Sequence, residues 1–257
     1  MQLNIINPPN ARLRPIYPEE VSASPYRPSL TADYQEDINF EFVKAINRQN
    51  KVNNFPLGLE VSMAIKVQSS RELNLIGVAK NVFDALNKRA YRDDVVIESF
   101  RIDQVTGIKD RTDIRVICGK RITPIRLDES VLDPYTELSF TVEGQISDTI
   151  IPIPGYGHML QVDQLSLAND SILRPIIETE FNQGSPQPYS GDIGISFDIM
   201  TNSLRTDIDN IVLDYLCNMN GIVFTRCHQI KSMHATIDRC MHGTLQQEGC
   251  IINISLI

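Results

Sequence analysis

The sequence predicts an α+β protein built from two tandem units. Some segments alternate apolar and polar residues, as half-buried strands do, while others place apolar residues at helical spacing. The same order of strands and helices returns in the second half of the chain, and two windows described below align with each other without a gap. A chain of 257 residues, 42% of them hydrophobic, can build a real core and suits one large domain or two small ones.

In the first half, the spacing of apolar residues defines the elements. Every second residue from Leu59 to Val67 is apolar, which is typical of a strand with one buried face. The apolar residues between Leu75 and Asn87 follow helical spacing instead. The predicted order is a helix near Asp37–Asn47, a strand at Leu59–Val67, a helix at Leu75–Asn87, a turn at Tyr91–Asp94, a strand through Val96 and Ile97, and a closing strand at Asp113–Cys118.

The second half repeats this order. Pro175 is compatible with a helix only in its first turn, where the missing N–H breaks no helical bond. The predicted elements are a strand at Leu138–Ile146, a helix at Ser171–Phe181, a strand at Ile193–Ile199, a helix at Asp209–Asn220, a turn at Gly221–Phe224 leading into a strand, and a final strand at Cys250–Ile257. We therefore predict unit 1 at residues 1–120, a proline-containing linker at 121–136 and unit 2 at 137–257.

The two halves differ in charge. Residues 1–126 hold 19 Lys and Arg against 15 Asp and Glu, whereas residues 127–257 hold 5 against 17, and the whole chain has a net charge of −8. Either the basic half meets a polyanion such as DNA, or the imbalance holds the halves together. The acidic half favours a protein partner or a homo-oligomer, because like charge repels phosphate.

The composition also argues against several classes of protein. No run approaches the length of apolar sequence that a membrane-spanning helix needs, so neither such a helix nor a membrane partner is expected. The first residues lack the order of a signal peptide, and the five cysteines lack the spacing of a disulfide framework. We therefore expect a reduced, cytoplasmic protein. The irregular spacing of His and Cys from Cys217 onwards does not favour a zinc site.

Two windows of the chain, Asn74–Ile97 and Asp207–Ile230, align with each other without a gap. Their apolar positions coincide, which suggests a duplication. The coinciding positions are Leu75 with Ile208, Val78 with Ile211, Leu86 with Met219 and Tyr91 with Phe224, and the identities are Asn87 with Asn220 and Ile97 with Ile230.

Each window keeps a different part of one motif. The first keeps Lys80, Asp84-Ala85-Leu86-Asn87, Tyr91, Asp93-Asp94 and Ile97, and the second keeps Asp207, Asp209, Asn210, Asn220-Gly221, Phe224 and Gln229-Ile230. Both resemble the signature of the RusA family of endodeoxyribonucleases, which resolve Holliday junctions. That pattern reads approximately D-x-D-N-x-x-K-x-x-x-D-A-L-N-G, followed by an aromatic residue, an acidic pair and an isoleucine. The resemblance covers nearly the whole chain as two RusA-like units.

The losses in the two windows are complementary. The first window has Asn74, Ile76 and Gly77 in place of the two opening aspartates and the asparagine. The second window has lost the lysine, the aspartate within the helix and the acidic pair, where it has Leu213, Cys217 and Arg226-Cys227.

The resemblance implies a set of functional residues. In the family, the opening aspartates and a member of the acidic pair are catalytic and bind Mg²⁺, and the lysine contributes to catalysis. Clustered carboxylates suit this chemistry, since Mg²⁺ prefers oxygen ligands and a bound cation activates water beside a phosphate. Carried over to this sequence, the catalytic residues are Lys80, Asp93, Asp94, Asp207 and Asp209, and the metal ligands are Asp94, Asp207 and Asp209.

Family members are homodimers, so the tandem chain resembles a dimer fused into an intramolecular pseudo-dimer. If carboxylates from both units converge, the two half-signatures form one composite site. If each unit builds its own cluster, both clusters are broken. A structure in which Asp207 or Asp209 faces Asp93 or Asp94 would favour the composite site.

Structural explanations exist for the same residues. Asp209 could cap the following helix with Asp207 as a solvated neighbour, and Asp93-Asp94 could form an acidic turn. Lys80 could be a solvated lysine, and Asp84 suits a structural hydrogen bond better than a metal. The basic residues Arg12, Arg14, Lys88, Arg89 and Arg92 are candidates for phosphate contacts, or else scattered surface charge.

The sequence therefore predicts a RusA-like, Mg²⁺-dependent endonuclease that cuts branched or Holliday-junction DNA. The alternative is a catalytically inactive RusA-like module that binds DNA or protein.

Overall fold

The computed structural model describes residues 1–6, 60–87, 90–91, 93–107, 112–120, 138–144, 173–184, 187–201, 207–239 and 248–257. These residues form strands, α-helices and short 3₁₀ helices. In chain order they are β1 (Gln2–Ile6), β2 (Val61–Ser69), α1 (Leu75–Leu86), η1 (Asp94–Val96), β3 (Ile97–Val105), β4 (Thr112–Lys120), β5 (Leu138–Gly144), α2 (Leu173–Gly184), β6 (Ile193–Thr201), α3 (Ile208–Met219), η2 (Cys227–Gln229), β7 (Ile230–Arg239) and β8 (Gly249–Leu256).

The strands form one mixed sheet of eight in the order β1-β8-β6-β7-β3-β2-β4-β5. The pairs β2–β3 and β6–β7 are parallel, and each is joined by a helix because parallel neighbours need a crossover connection. The remaining pairs are antiparallel. The described residues thus confirm a mixed α+β fold.

The core lies between one face of the sheet and the helices. Residues Met63, Ile65 and Val67 of β2 are buried, while the alternate residues Lys66 and Gln68 are exposed. Packing of α1 on β3 brings the Phe83 and Phe100 rings into an edge-to-face contact with centroids 5.3 Å apart. On the other half of the sheet, the ring centroids of Phe197 in β6 and Tyr215 in α3 are 6.2 Å apart. Helices α1 and α3 also contact each other.

The order of elements repeats along the chain at a constant offset. Helices α1 and α3 begin at Leu75 and Ile208, and strands β3 and β7 begin at Ile97 and Ile230, which are aligned positions of the two sequence windows. Strands β3 and β7 form the antiparallel pair at the centre of the strand order, where Arg101 lies opposite His234. Arg101 and His234 are as far apart in the sequence as any two aligned positions of the two windows. The register of the central pair therefore matches the spacing of the sequence repeat.

The edges of the sheet are formed by strands from the other half of the chain. Strand β1 pairs with β8, and β5 pairs with β4. Leu3 and Ile5 of β1 are buried, and the Met1 amino group donates to the Ile254 carbonyl oxygen at 2.7 Å. Each predicted unit therefore has one edge strand that the other unit contributes. The predicted linker at 121–136 lies outside the described residues.

Most element predictions agree with the structure within a few residues. Pro175 is the third residue of α2, where the prediction requires it. After α3, Gly221 has φ +80°, a conformation that suits glycine, but the next strand starts only at Ile230 because η2 intervenes. Strand β1 was not predicted, and the helix expected near Asp37–Asn47 lies outside the described residues. None of the described helices is long and apolar enough to cross a membrane.

Candidate metal centre

Three elements from both halves of the chain meet at one place: the start of α3, the middle of α1, and η1. One carboxylate oxygen from each of Asp93, Asp94 and Asp207 lies within 4.8 Å of the others. Lys80 of α1 lies at the same place and forms an ion pair with Asp209. All five residues predicted to be catalytic are thus brought together. We refer to Asp93, Asp94 and Asp207 as the carboxylate triad.

Asp207 and Asp209 stand at the start of α3. Asp207 is the N-cap residue, yet its side chain makes no capping bond and instead accepts a hydrogen bond from Asn210 Nδ2 at 2.9 Å. Asp209 lies inside the first turn, so the interpretation that Asp209 caps the helix is wrong. A helix N-terminus favours negative charge, which helps to accommodate both carboxylates.

A buried ion pair links the two halves. Lys80 Nζ donates to Asp209 Oδ2 at 2.8 Å and lies 3.5 Å from Asn210 Oδ1. The side chains of Lys80 and Asp209 are 15% and 2% exposed, so Lys80 is not a solvated lysine. This geometry holds the ammonium group next to the carboxylate triad.

The second oxygen of Asp209 is not satisfied by the described residues. Asp209 Oδ1 is buried and accepts no hydrogen bond from them. A buried carboxylate oxygen without a donor costs free energy, so it needs a physical explanation. A cation or a water bound beside the triad is the kind of group that would satisfy this oxygen.

The two aspartates of the acidic pair have different surroundings. Asp93 is exposed and accepts a hydrogen bond from Val95 N at 3.2 Å, as an acidic turn residue would. Asp94 is half-buried. The preceding chain is fixed by Tyr91, which is buried and donates from its hydroxyl to the Phe83 carbonyl oxygen at 2.8 Å. The turn interpretation thus accounts for Asp93 and leaves Asp94 unexplained.

Crowding raises the proton affinity of the carboxylates. Burial raises the pKa of Asp94 to about 8, and the charges of Asp209 and Asp207 add to the effect. Burial and the Asp209 charge likewise raise the pKa of Asp207 to about 6. The pKa of Asp84, one turn after Lys80, is raised by burial, although the Lys80 charge opposes the rise. Close carboxylates resist simultaneous ionisation, and a divalent cation relieves that repulsion.

Arg239 is a neighbour of the triad that the sequence analysis missed. Its Nη2 donates to the Val95 carbonyl oxygen at 3.1 Å, so the guanidinium group lies against η1. Burial lowers the pKa of Arg239, while the charges of Glu98 and Asp207 oppose the fall. Arg239 is the last residue of β7 and belongs to no part of the motif, so only the pairing of β7 with β3 brings it here.

The triad differs from the predicted set of metal ligands in one residue. The prediction was Asp94, Asp207 and Asp209, whereas the structure groups Asp93 with Asp94 and Asp207, and Asp209 is paired with Lys80. Three carboxylates form an oxygen-only ligand set, which suits Mg²⁺, Mn²⁺ or Ca²⁺ better than soft metals. The five predicted DNA contacts, Arg12, Arg14, Lys88, Arg89 and Arg92, lie outside the described residues.

A surface cavity of about 580 Å³ lies elsewhere, and none of the five predicted catalytic residues lines it. It is lined partly by Arg101 of β3 and His234 of β7. Phe100 and Ile102, which alternate with Arg101, are buried in the core on the helix side. The cavity therefore opens on the face of the sheet away from the helices.

Comparison of the chain with protein-family models, curated proteins and solved structures finds no match. The resemblance to the RusA family therefore stays a prediction based on the motif residues.

Proposed function

We propose that this protein is a RusA-like, metal-dependent endonuclease that hydrolyses phosphodiester bonds in branched DNA, including Holliday junctions. The observation that carries the proposal is the convergence of carboxylates from both halves. Asp93 and Asp94 from the first half lie within 4.8 Å of Asp207 from the second. Among the described residues, this is the group of Asp, Glu, His and Cys side chains that offers three ligand atoms at such distances.

The chain's own residues suit hydrolysis of a phosphodiester. Asp93, Asp94 and Asp207 would hold the cation, and Mg²⁺ is the cofactor that we propose. When bound, the cation would supply activation of water and neutralisation of phosphate charge. Lys80 is held in place by Asp209 Oδ2 at 2.8 Å, so that its positive charge is oriented before a substrate arrives. Asp209 is in this view a positioning residue for Lys80.

The proposed architecture is an intramolecular pseudo-dimer of two RusA-like units. The symmetric strand order and the Arg101–His234 register at the centre of β3–β7 support it. In such a pseudo-dimer the start of α3 would lie beside the middle of α1, so that the two incomplete half-signatures would together form one set of residues. The exchanged edge strands β1 and β5 are consistent with units that fold together.

We further propose that DNA approaches from the side of unit 1, whose residues carry most of the Lys and Arg of the chain. Arg12, Arg14, Lys88, Arg89 and Arg92 are the proposed phosphate contacts. The acidic unit 2 is the proposed surface for a protein partner or for a second copy of the chain.

The second candidate is an inactive RusA-like module that binds DNA or protein. One observation favours it: Lys80 already has a carboxylate partner at 2.8 Å and thus has a structural role without any substrate. Junction binding without cleavage would identify this case.

Cleavage of a labelled four-way junction, with Mg²⁺ or with EDTA, tests the proposal. We expect Mg²⁺-dependent cutting that falls by about 100-fold or more in both Asp94→Asn and Asp207→Asn, one variant from each half. The matched control is Asp192→Asn, because Asp192 is exposed and precedes β6 at the opposite end of the sheet. If wild type binds the junction without cutting it, the proposal is wrong and the inactive module stands. Loss in only one variant would contradict the composite site.

A further inference from the structure

The two-fold arrangement of elements creates a second place like the candidate metal centre. Exchanging the two aligned windows maps the start of α3 onto the start of α1, the middle of α1 onto the middle of α3, and η1 onto η2. The residues that correspond to Asp207, Asp209, Lys80, Asp84, Asp93 and Asp94 are Asn74, Ile76, Leu213, Cys217, Arg226 and Cys227. We call these six residues the counterpart cluster.

Two residues of the counterpart cluster, Cys217 and Cys227, are close enough to interact. Burial raises the pKa of the Cys217 thiol, and Asp214 and Cys227 add to the rise. The corresponding residues Asp84 and Asp94 interact in the same sense, because Asp84 raises the pKa of Asp94. Within each half, the last helix position of the motif and the following 3₁₀ helix are therefore neighbours.

The side chains of the counterpart cluster differ in chemistry from those of the candidate metal centre. Ile76, Leu213, Cys217 and Cys227 are all buried, and both cysteines are free thiols. A thiol whose pKa is raised stays protonated at neutral pH, and Mg²⁺ prefers oxygen ligands. None of the six residues is a carboxylate, so the counterpart cluster has lost the ligands on which the proposed chemistry depends.

The turn at η2 is closed by the protein's own hydrogen bonds. Gln229 Oε1 accepts from the backbone N–H groups of Thr225 and Arg226, each at 2.9 Å. Gln229 Nε2 donates to the carbonyl oxygens of Tyr189 at 2.8 Å and Gly191 at 3.0 Å. At η1 the corresponding turn is held by Asp93, whose Oδ1 accepts a hydrogen bond from Val95 N at 3.2 Å. Asp93 and the corresponding Arg226 are both exposed, so the two places differ in side-chain chemistry: the triad consists of carboxylates, and the counterpart cluster contains none.

We propose that each chain cuts one DNA strand per binding event, so that the enzyme is a nickase acting on one strand at a branch point. This inference rests on the proposed nuclease function. In each cut, a water oxygen forms a bond to phosphorus, the bond from phosphorus to the leaving sugar oxygen breaks, and that oxygen takes up a proton. A symmetric pair of sites would present two carboxylate clusters to two strands. Here a paired cut needs a second chain.

A supercoiled plasmid that extrudes a cruciform separates the two outcomes. With Mg²⁺ and limiting enzyme, we expect nicked circles as the first product, and linear plasmid only later, at a rate that rises with enzyme concentration. Linear plasmid formed directly, without a nicked precursor, would overturn the inference while leaving the nuclease function standing. Failure to cut at all would overturn the nuclease function instead.

Binding of Mn²⁺ by the whole protein tests the inference without any activity. We expect the Asp94→Asn, Asp207→Asn double variant to lose all specific Mn²⁺ binding in calorimetry, and Cys227→Ser to keep it. Specific binding that survives in the double variant would reveal a second site and overturn the inference. Circular dichroism of each variant confirms that the fold is retained before the titrations are compared.

Discussion

The carboxylate triad and the counterpart cluster hold aligned positions of the two windows, and only the triad consists of carboxylates. Beside the triad, Lys80 pairs with Asp209; at the counterpart, the same positions hold Leu213 and Ile76, both buried. The backbone elements around the two places are the same, α1 with α3 and a 3₁₀ helix before a strand. The fold therefore accommodates either an ion pair or apolar side chains at these positions. Packing needs only volume and apolar contact, whereas the proposed chemistry needs particular side chains.

The two sets of side chains also differ in their electrostatic cost to the folded state. Charged residues at the triad are crowded, which raises the pKa values of Asp94 and Asp207. Buried apolar residues at the counterpart carry no such cost. A cluster of carboxylates with raised pKa values supports the function proposed for the triad.

The largest expected effect comes from breaking the buried ion pair. Asp209→Ile should destabilise the protein by about 3–5 kcal/mol, because it removes the carboxylate that pairs with the largely buried Lys80 ammonium group at 2.8 Å. The double variant Lys80→Leu, Asp209→Ile copies the counterpart and should recover most of that loss. Chemical denaturation of both variants measures the two free energies of unfolding. Equal losses in the single and double variants would mean that the two places are not structurally equivalent.

The exchanged edge strand gives the next largest effect. Leu3→Ala should cost about 2–4 kcal/mol, because Leu3 of β1 is completely buried against the second half of the sheet. Gln2→Ala on the exposed face of the same strand is the matched control and should change stability by less than about 0.5 kcal/mol. Thermal unfolding compares them. If Leu3→Ala behaves like the control, β1 does not hold the two halves together.

The raised pKa of Asp94 predicts how the free energy of unfolding depends on pH. The pKa of Asp94 is about 8 in the folded protein, above the value of about 3.9 expected on unfolding, so the folded state binds more protons between these limits. Without metal, stability should fall as pH rises from about 4 to about 8. Asp94→Asn should reduce this fall and stabilise the metal-free protein at pH 8 by roughly 1–3 kcal/mol.

Mg²⁺ should reverse this pH effect. A cation favours the ionised carboxylates, so the rise in melting temperature on adding Mg²⁺ should be larger at pH 8 than at pH 5.5. Asp192→Asn is the matched control, because it removes an exposed carboxyl group at the opposite end of the sheet. A metal-free stability that rises between pH 5.5 and 8 would contradict the crowding of the triad.

The smallest effect is expected at Arg239, which has no basic equivalent in the first half, where Thr106 occupies the corresponding position of the repeat. Arg239→Met removes the hydrogen bond to the Val95 carbonyl oxygen and should cost about 1 kcal/mol. Loss of this positive charge should also raise the pKa of Asp207 further, since Arg239 now lowers it. NMR titration of the carboxyl carbons measures the shift, and a fall in the Asp207 pKa would contradict the placement of Arg239.

Local pattern was sufficient to predict α1, α3, β2 and β6. Their apolar residues are frequent and regularly spaced, so burial of one face fixes both the type of element and its ends within a few residues. Strand β1 was missed because a short strand with two buried apolar positions gives too weak a signal, and its partner β8 lies at the far end of the chain.

The candidate site was only partly predictable. Complementary losses in the two windows suggested that Asp93 and Asp94 would meet Asp207 and Asp209, but the sequence left separate clusters open. Which carboxylates group together, and which one pairs with Lys80, depends on distances across α1, α3 and η1. Arg239 was not predictable at all, because strand pairing alone brings it to η1.

Anomalous diffraction from crystals of the full chain grown with Mn²⁺ would locate the bound cation. We expect a peak among the oxygens of Asp93, Asp94 and Asp207, and no peak at Cys217 and Cys227 of the counterpart cluster. No peak at the triad, at a Mn²⁺ concentration that supports junction cleavage, or a peak of equal height at the counterpart would contradict a composite site built from both halves of the chain.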